Sequence, residues 1–193
     1  MAEAERDPLL VRATRFTAFA TLGVLGATQE LAQATLAGID GADPELVAEE
    51  TLCLVATATA RAAEVGLRAD PARAQAVVPA LLDLPFTYRD YLVGGAMIVQ
   101  QDPALLDAHE QVYQRLRRKQ AFYTVHLPPN QFPGERLLTD KMGLWMGRIS
   151  PPRLPESPMQ RLERLGCVPT LLTHLKLVLA FARGEPVGEK ASG

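Results

Sequence analysis

Asp43-Pro44-Glu45-Leu46-Val47-Ala48-Glu49-Glu50 begins as an α-helix begins. An Asp carboxylate at the N-cap can accept a bond from an orphan backbone N–H. Proline suits the first helical position, where its missing N–H has no partner to lose and its φ is already helical. Glu45, Glu49 and Glu50 follow in the first turns and Arg61 stands near the far end, the order that favours the helix dipole. The dipeptide recurs as Asp7-Pro8, Asp70-Pro71 and Asp102-Pro103, each ahead of a run rich in Ala, Leu, Gln and Glu, and Ser157-Pro158 repeats the device near the C-terminus. With no alternating strand pattern of useful length, these starts predict an all-α fold: an irregular bundle of about six to eight helices. The Asp-Pro spacings of 36, 27 and 32 are too uneven for a solenoid.

Working outward, the first helix is expected from Pro8 to Ala37 with Gly38 as a stop. Gly23 and Gly26 within it offer a bend or a close helix approach. The second runs from Pro44 to Val65 and stops at Gly66, which fits a C′ position. A short helix from Pro71 to about Leu82 carries Pro79 in its middle. Phe86 to Gln100 is nearly uncharged and reads as a central helix. A long helix spans Pro103 to about Val125. Seven of the fifteen prolines then fall in 128–158, around a short helix at about Glu135 to Gly147. Pro158–Leu165 and Pro169–Arg183 complete the set. At 193 residues and 48% hydrophobic content, this is expected to be one domain. Its parts are a helical body (8–126), a proline-rich arm or cover (127–166), a C-terminal helix (167–183) and a disordered tail (184–193).

Charge is sorted along the chain. Residues 1–110 hold 7 Lys+Arg and 16 Asp+Glu, a net of −9; residues 111–193 hold 13 and 6, a net of +7; together they give the chain's −2. The sign changes inside the long helix, between Glu110 and Arg115. The two halves can satisfy each other within one chain or between two. A sequence pI near 5.9 argues against generic nucleic-acid binding by the whole molecule. Met1-Ala2-Glu3-Ala4-Glu5 is acidic where a secretory leader is basic, and the uncharged run Phe16–Gln29 is shorter than a bilayer needs. The expectation is a cytoplasmic protein with no membrane span. Cys53 and Cys167, 114 positions apart, are expected to be reduced, buried thiols.

The chain carries no P-loop, Rossmann fingerprint, nucleophile elbow or metalloprotease motif, and no Glu-x-x-His pair for a di-iron site. No metal site and no cofactor is assigned. His109 falls on the apolar stripe Leu105, His109, Val112, Leu116 and reads first as a partly buried helix residue. His174 has the same reading. His126 ends the long helix and opens His126-Leu127-Pro128-Pro129, after Phe122 and Tyr123. It suits a C-terminal cap, or a ligand group at the mouth of a pocket shared with Tyr123. His126 and His109 are the weak candidates for catalysis.

A basic patch is expected at Arg115, Arg118, Lys119 and Arg136. Leu138, Met142, Trp145 and Ile149, spaced 4, 3 and 4, make one helical stripe, with Met146 beside it. The stripe suits a core; its proline-rich flanks and soft methionines also suit docking on a partner. Three readings follow. The preferred one is a non-enzymatic assembly protein that self-associates or docks on a protein partner through its basic, proline-rich half. The second is a small-molecule binder or enzyme with a pocket near His126, Tyr123, Arg118 and His109. The third, not favoured, is nucleic-acid binding through the basic half.

Overall fold

The computed structural model describes residues 8–90 and 104–185. Asp7, the pair Asp102-Pro103, the uncharged stretch 91–100 of the expected central helix and the tail from 186 lie outside the described residues. Among the described residues the chain is helical, with turns and no strand. Eight helices follow in order: α1 (Pro8–Gly38), α2 (Pro44–Gly66), α3 (Pro71–Leu82), α4 (Leu84–Arg89), α5 (Ala104–His126), α6 (Glu135–Ile149), α7 (Pro158–Arg164) and α8 (Cys167–Ala182).

The helix starts follow the cap chemistry. The Asp43 carboxylate accepts from the Glu45 and Leu46 amides at 2.9 and 3.3 Å. Asp70 accepts from the Arg73 amide at 3.2 Å. Ser157 and Gln160 form a reciprocal capping box, 3.3 Å one way and 2.8 Å the other. Asp43→Ala is expected to lower unfolding free energy by about 1 kcal/mol while Asp43→Asn changes little. Guanidinium denaturation followed by Trp145 emission measures both. Equal effects of the two variants would remove the side-chain bond from the account.

α2 is the axis of the bundle. It packs against α1, α3, α4, α5, α6 and α8. Val47 and every residue from Glu50 to Ala63 are buried, so the helix has no solvent face over most of its length. Its alanines make it thin enough for neighbours to close around it. Two of its buried hydroxyls are absorbed locally, Thr51 donating to Val47 O and Thr57 to Cys53 O at 2.6 and 2.7 Å.

Gly23 lies against α8, where a Cβ would stand 2.6 Å from Cε1 of His174. That is the close approach its sequence position suggested. Gly66 is not the left-handed C′ residue expected of it: it remains in the helix, and the space of its Cβ is taken by Ala182. The helix is closed by Leu67, whose amide returns to Ala63 O at 2.8 Å. Pro79 sits in α3 without breaking it; the helix simply ends three residues later. α8 starts two residues before the expected Pro169, directly from left-handed Gly166 (φ 63°). Proline is tolerated there because first-turn amides have no intrahelical partner.

The proline-rich segment is not a free arm. It is pinned to the end of α2. Arg61 Nε donates to Leu127 O at 2.9 Å, Arg68 to Asn130 O at 3.1 Å, and the Asn130 amide to Glu64 at 2.8 Å. α6 lies on α2, α7 and α8. Leu138, Met142, Trp145, Met146 and Ile149 are all 0–1% exposed. The stripe expected on a partner surface is therefore core of its own chain, because α6 offers the apolar face that α2 needs as a cover.

By length and hydropathy α1 is able to cross a membrane, contrary to what its short uncharged run suggests. Here its inner face, Phe16, Ala20, Val24, Ala27 and Leu31, is buried in the bundle.

Candidate functional site

The charge sorting resolves around two adjacent glutamates of α2. Glu49 sits at the edge of the α2–α5 contact. Arg115 Nε reaches it at 2.9 and 3.1 Å and Lys119 Nζ at 2.6 Å. Burial works against ionisation of Glu49, but the hydrogen bonds from Arg115 and Lys119 outweigh it and hold the carboxyl below the usual range. Arg115 also bonds Glu45. Glu50 is 1% exposed and points between α5 and α6. The Tyr123 hydroxyl donates to it at 2.6 Å, and Arg148 donates twice, Nε at 2.9 Å and a terminal nitrogen at 2.6 Å. Burial, then the Glu50 charge, push the Tyr123 phenol well above its ordinary value. Arg148 lies over the Phe122 ring, 4.4 Å from its centroid. Trp145 Nε1 donates to Thr51 at 3.3 Å and Gln120 to Thr57 at 3.1 Å, closing a polar layer inside the bundle.

Part of the expected basic patch is therefore spent within the chain. Arg115 and Lys119 neutralise α2, and only Arg118 and Arg136 of the four remain exposed without an ion pair to it. Tyr123 is fully buried, its hydroxyl spent on Glu50. His126 is half-buried and its ring lies tilted against Phe122, centroids 4.3 Å apart. His109 is half-buried and bonds Asp90 at 3.0 Å. The hydrogen bond from Arg89, more than that from His109, keeps the Asp90 carboxyl low. His126 and His109 do not converge on one site.

Beside the Glu49 cluster lies a cavity of about 540 Å³ that no sequence motif announces. Four helices wall it, among the described residues. α1 contributes Leu25, Thr28, Gln29 and Ala32; α2 contributes Glu45, Ala48, Glu49 and Leu52; α4 contributes Pro85, Tyr88 and Arg89; α5 contributes Val112 and Leu116. The floor is aliphatic. The charged residues at its edge are already paired: Glu45 and Glu49 by Arg115 and Lys119, Arg89 by Asp90. Arg89 also lies over the Tyr113 ring at 4.7 Å. The Thr28 hydroxyl is buried and has no hydrogen-bond partner among the described residues. The signal for this site was present in the sequence as two short apolar faces, Leu25 with Ala32 on α1 and Ala48 with Leu52 on α2. Neither is long enough to be separated from core residues without knowing which helices meet.

The thiols are not part of it. Burial pushes Cys53 far up and Cys167 up to about 11. No group of three or more His, Cys, Asp or Glu stands ready to hold a metal ion among the described residues. Compared with known proteins, the chain matches no family model, no curated protein and no solved structure at a significant level.

Proposed function

We propose that this chain is a non-enzymatic binding protein that holds a neutral, largely apolar small molecule between α1, α2, α4 and α5. One observation carries the reading: an aliphatic cavity of about 540 Å³ whose charged rim is paired internally. Ligand sites are commonly apolar concavities of roughly 300–1,000 Å³ with a few polar groups that fix orientation. With Glu45, Glu49 and Arg89 engaged, an ionic ligand would have to displace an existing ion pair, at a cost in desolvation. A mostly hydrocarbon, uncharged molecule fits this pattern. Glu49 itself, held below the usual carboxylate range by Arg115 and Lys119, is not poised as an acid or base near neutrality.

The assembly reading through the proline-rich half has less support in this geometry. Its apolar stripe and several of its cations are used within the chain. The nucleic-acid reading loses Arg115 and Lys119 for the same reason.

The test uses N-phenyl-1-naphthylamine, a neutral apolar fluorophore. Saturable, one-site enhancement is expected for the native chain. Ala48→Phe, which fills the cavity from a position that is exposed apart from it, is expected to weaken binding at least tenfold with little change in unfolding midpoint. Ala32→Phe provides the second variant from the opposite wall. Non-saturable enhancement, or equal affinity in both variants, rejects the site.

A further inference from the structure

A second repeat runs along α1 beside the face that packs in the bundle, and part of it, Leu25, Gln29 and Ala32, also borders the cavity. Val11, Ala18, Leu22, Leu25, Ala32 and Leu36, with Arg15 and Gln29 completing the series, advance by alternating steps of three and four residues. That 3.5-residue period is the seam of a helix pair. The inner face of the same helix already packs on α2, α3 and α8; along the second seam Ala18, Leu22, Leu25 and Leu36 are exposed, while Val11 and Ala32 are half-buried. Leu22 is 71% exposed, Leu36 40% and Leu25 36%. Gly26 stands on the same side, with nothing within 4 Å of where a Cβ would be, so the bundle itself does not require a glycine there.

The exposed charges of α1 are sorted along it. Arg12 and Arg15 lie in its early turns, no charge occurs from Phe16 to Gln29, and Glu30 follows. Glu30 accepts only a long bond from Thr170, 3.4 Å. Set against itself in parallel, the helix would place Arg15 on Arg15 and Glu30 on Glu30. Set antiparallel about a twofold axis between Gly23 and Val24, it places Leu22 on the second copy's Leu25 and Val11 on the second copy's Leu36. The same register brings Arg15 within a turn of the second copy's Glu30, twice over.

We propose that α1 pairs antiparallel with α1 of a second copy of this chain, forming a twofold dimer along this seam. The pairing is isologous, as most dimers are, and the charge order selects its direction. The pairing covers Leu25, Gln29 and Ala32 at the edge of the proposed ligand cavity, but its decisive variant, Leu22, is not among the residues that wall that cavity.

Light scattering after size-exclusion chromatography is expected to give twice the 21.0 kDa chain mass at tens of micromolar. Leu22→Glu is expected to give a monomer with unchanged helicity and unchanged naphthylamine binding. Glu30→Arg is expected to weaken dimerisation roughly tenfold, since each interface then carries two like-charge contacts. Arg15→Glu combined with Glu30→Arg is expected to restore it. A monomeric native chain at 100 micromolar overturns the proposal, including one that floats with phosphatidylcholine vesicles and so uses the face on a bilayer. A dimer indifferent to Leu22→Glu overturns it as well. Failure of the double charge swap to rescue Glu30→Arg overturns the antiparallel register.

Discussion

Glu50→Ala is expected to lower the unfolding free energy by about 3–5 kcal/mol, the range for removing one partner of a buried ion pair. Domains of this kind have roughly 5–15 kcal/mol in total, so the variant should sit near the edge of folding at 37 °C. The size follows from what is left behind. Glu50 is 1% exposed, and its carboxylate takes three hydrogen bonds, one from Tyr123 and two from Arg148. Without it, the fully buried Tyr123 hydroxyl has no acceptor, and Arg148 must leave its place over Phe122 to reach water. Arg148 is 37% exposed along its side chain, so it has a path outward, which places the cost toward the lower end. Tyr123→Phe, which removes a donor and leaves a charged acceptor still held by Arg148, should cost only about 1–2 kcal/mol. Replacing the cluster together, with Glu50→Leu, Tyr123→Phe and Arg148→Met, should recover much of the loss, because the carboxylate's desolvation is then removed with its partners. Guanidinium denaturation read by the single, buried Trp145 distinguishes these cases. A loss below about 1 kcal/mol for Glu50→Ala would mean that water already solvates the site.

That cluster also explains the charge sorting along the chain. The acidic half and the basic half meet inside the fold, where the second helix presents Glu45, Glu49 and Glu50 to Arg115, Lys119 and Arg148. The sequence separation is 66 residues for Arg115 with Glu49 and 98 for Arg148 with Glu50. Such pairs have no local signature. The sign change within α5 was readable; which carboxylate each cation would meet was not.

The helices themselves were readable because their causes are local. An Asp or Ser carboxylate or hydroxyl reaching two or three residues ahead, with proline next to it, sets a start whatever the tertiary context. This is why Asp43, Asp70 and Ser157 behave as expected. Where a boundary moved, tertiary packing was the reason. Gly66 reads as a helix stop, yet it is spent on contact with Ala182. The α6 stripe was readable as a stripe, but its destination depended on whether 127–134 folds back. Three hydrogen bonds decide that, donated by Arg61 and Arg68 and accepted by Glu64, and these residues at and just beyond the end of α2 are more than 60 positions away in sequence. The cavity was hidden for the same reason: its four walls belong to helices whose order in space no periodicity reveals.

The fold opposes ionisation of His174, which the sequence marks only as a core residue. Lowering the pH from 7 to 4 is expected to destabilise the native chain through His174. Its imidazole bonds the Thr59 hydroxyl at 2.8 Å and is covered by the bare backbone of Gly23. Desolvation pulls its pKa from 6.5 down to about 4. The folded form thus prefers a neutral ring, while the unfolded chain protonates near 6.5. Below that value the unfolded state binds more protons, so stability falls as pH falls. The loss begins near pH 6.5, reaches about 2 kcal/mol at pH 5 and levels at about 3 kcal/mol below pH 4, because each tenfold gap between the folded and unfolded proton affinities is worth about 1.4 kcal/mol. Above pH 6.5 His174 contributes no slope. Glu49, held low by Arg115 and Lys119, adds its own loss only as the pH approaches the carboxylate range. The difference between native chain and His174→Gln isolates the histidine, since Gln can keep a bond to Thr59 and does not titrate. Denaturation midpoints at pH 7, 6, 5 and 4.5 should diverge for the two proteins, with His174→Gln the flatter. Parallel curves would mean that the ring reaches water when protonated, and that Gly23 is small for helix packing alone.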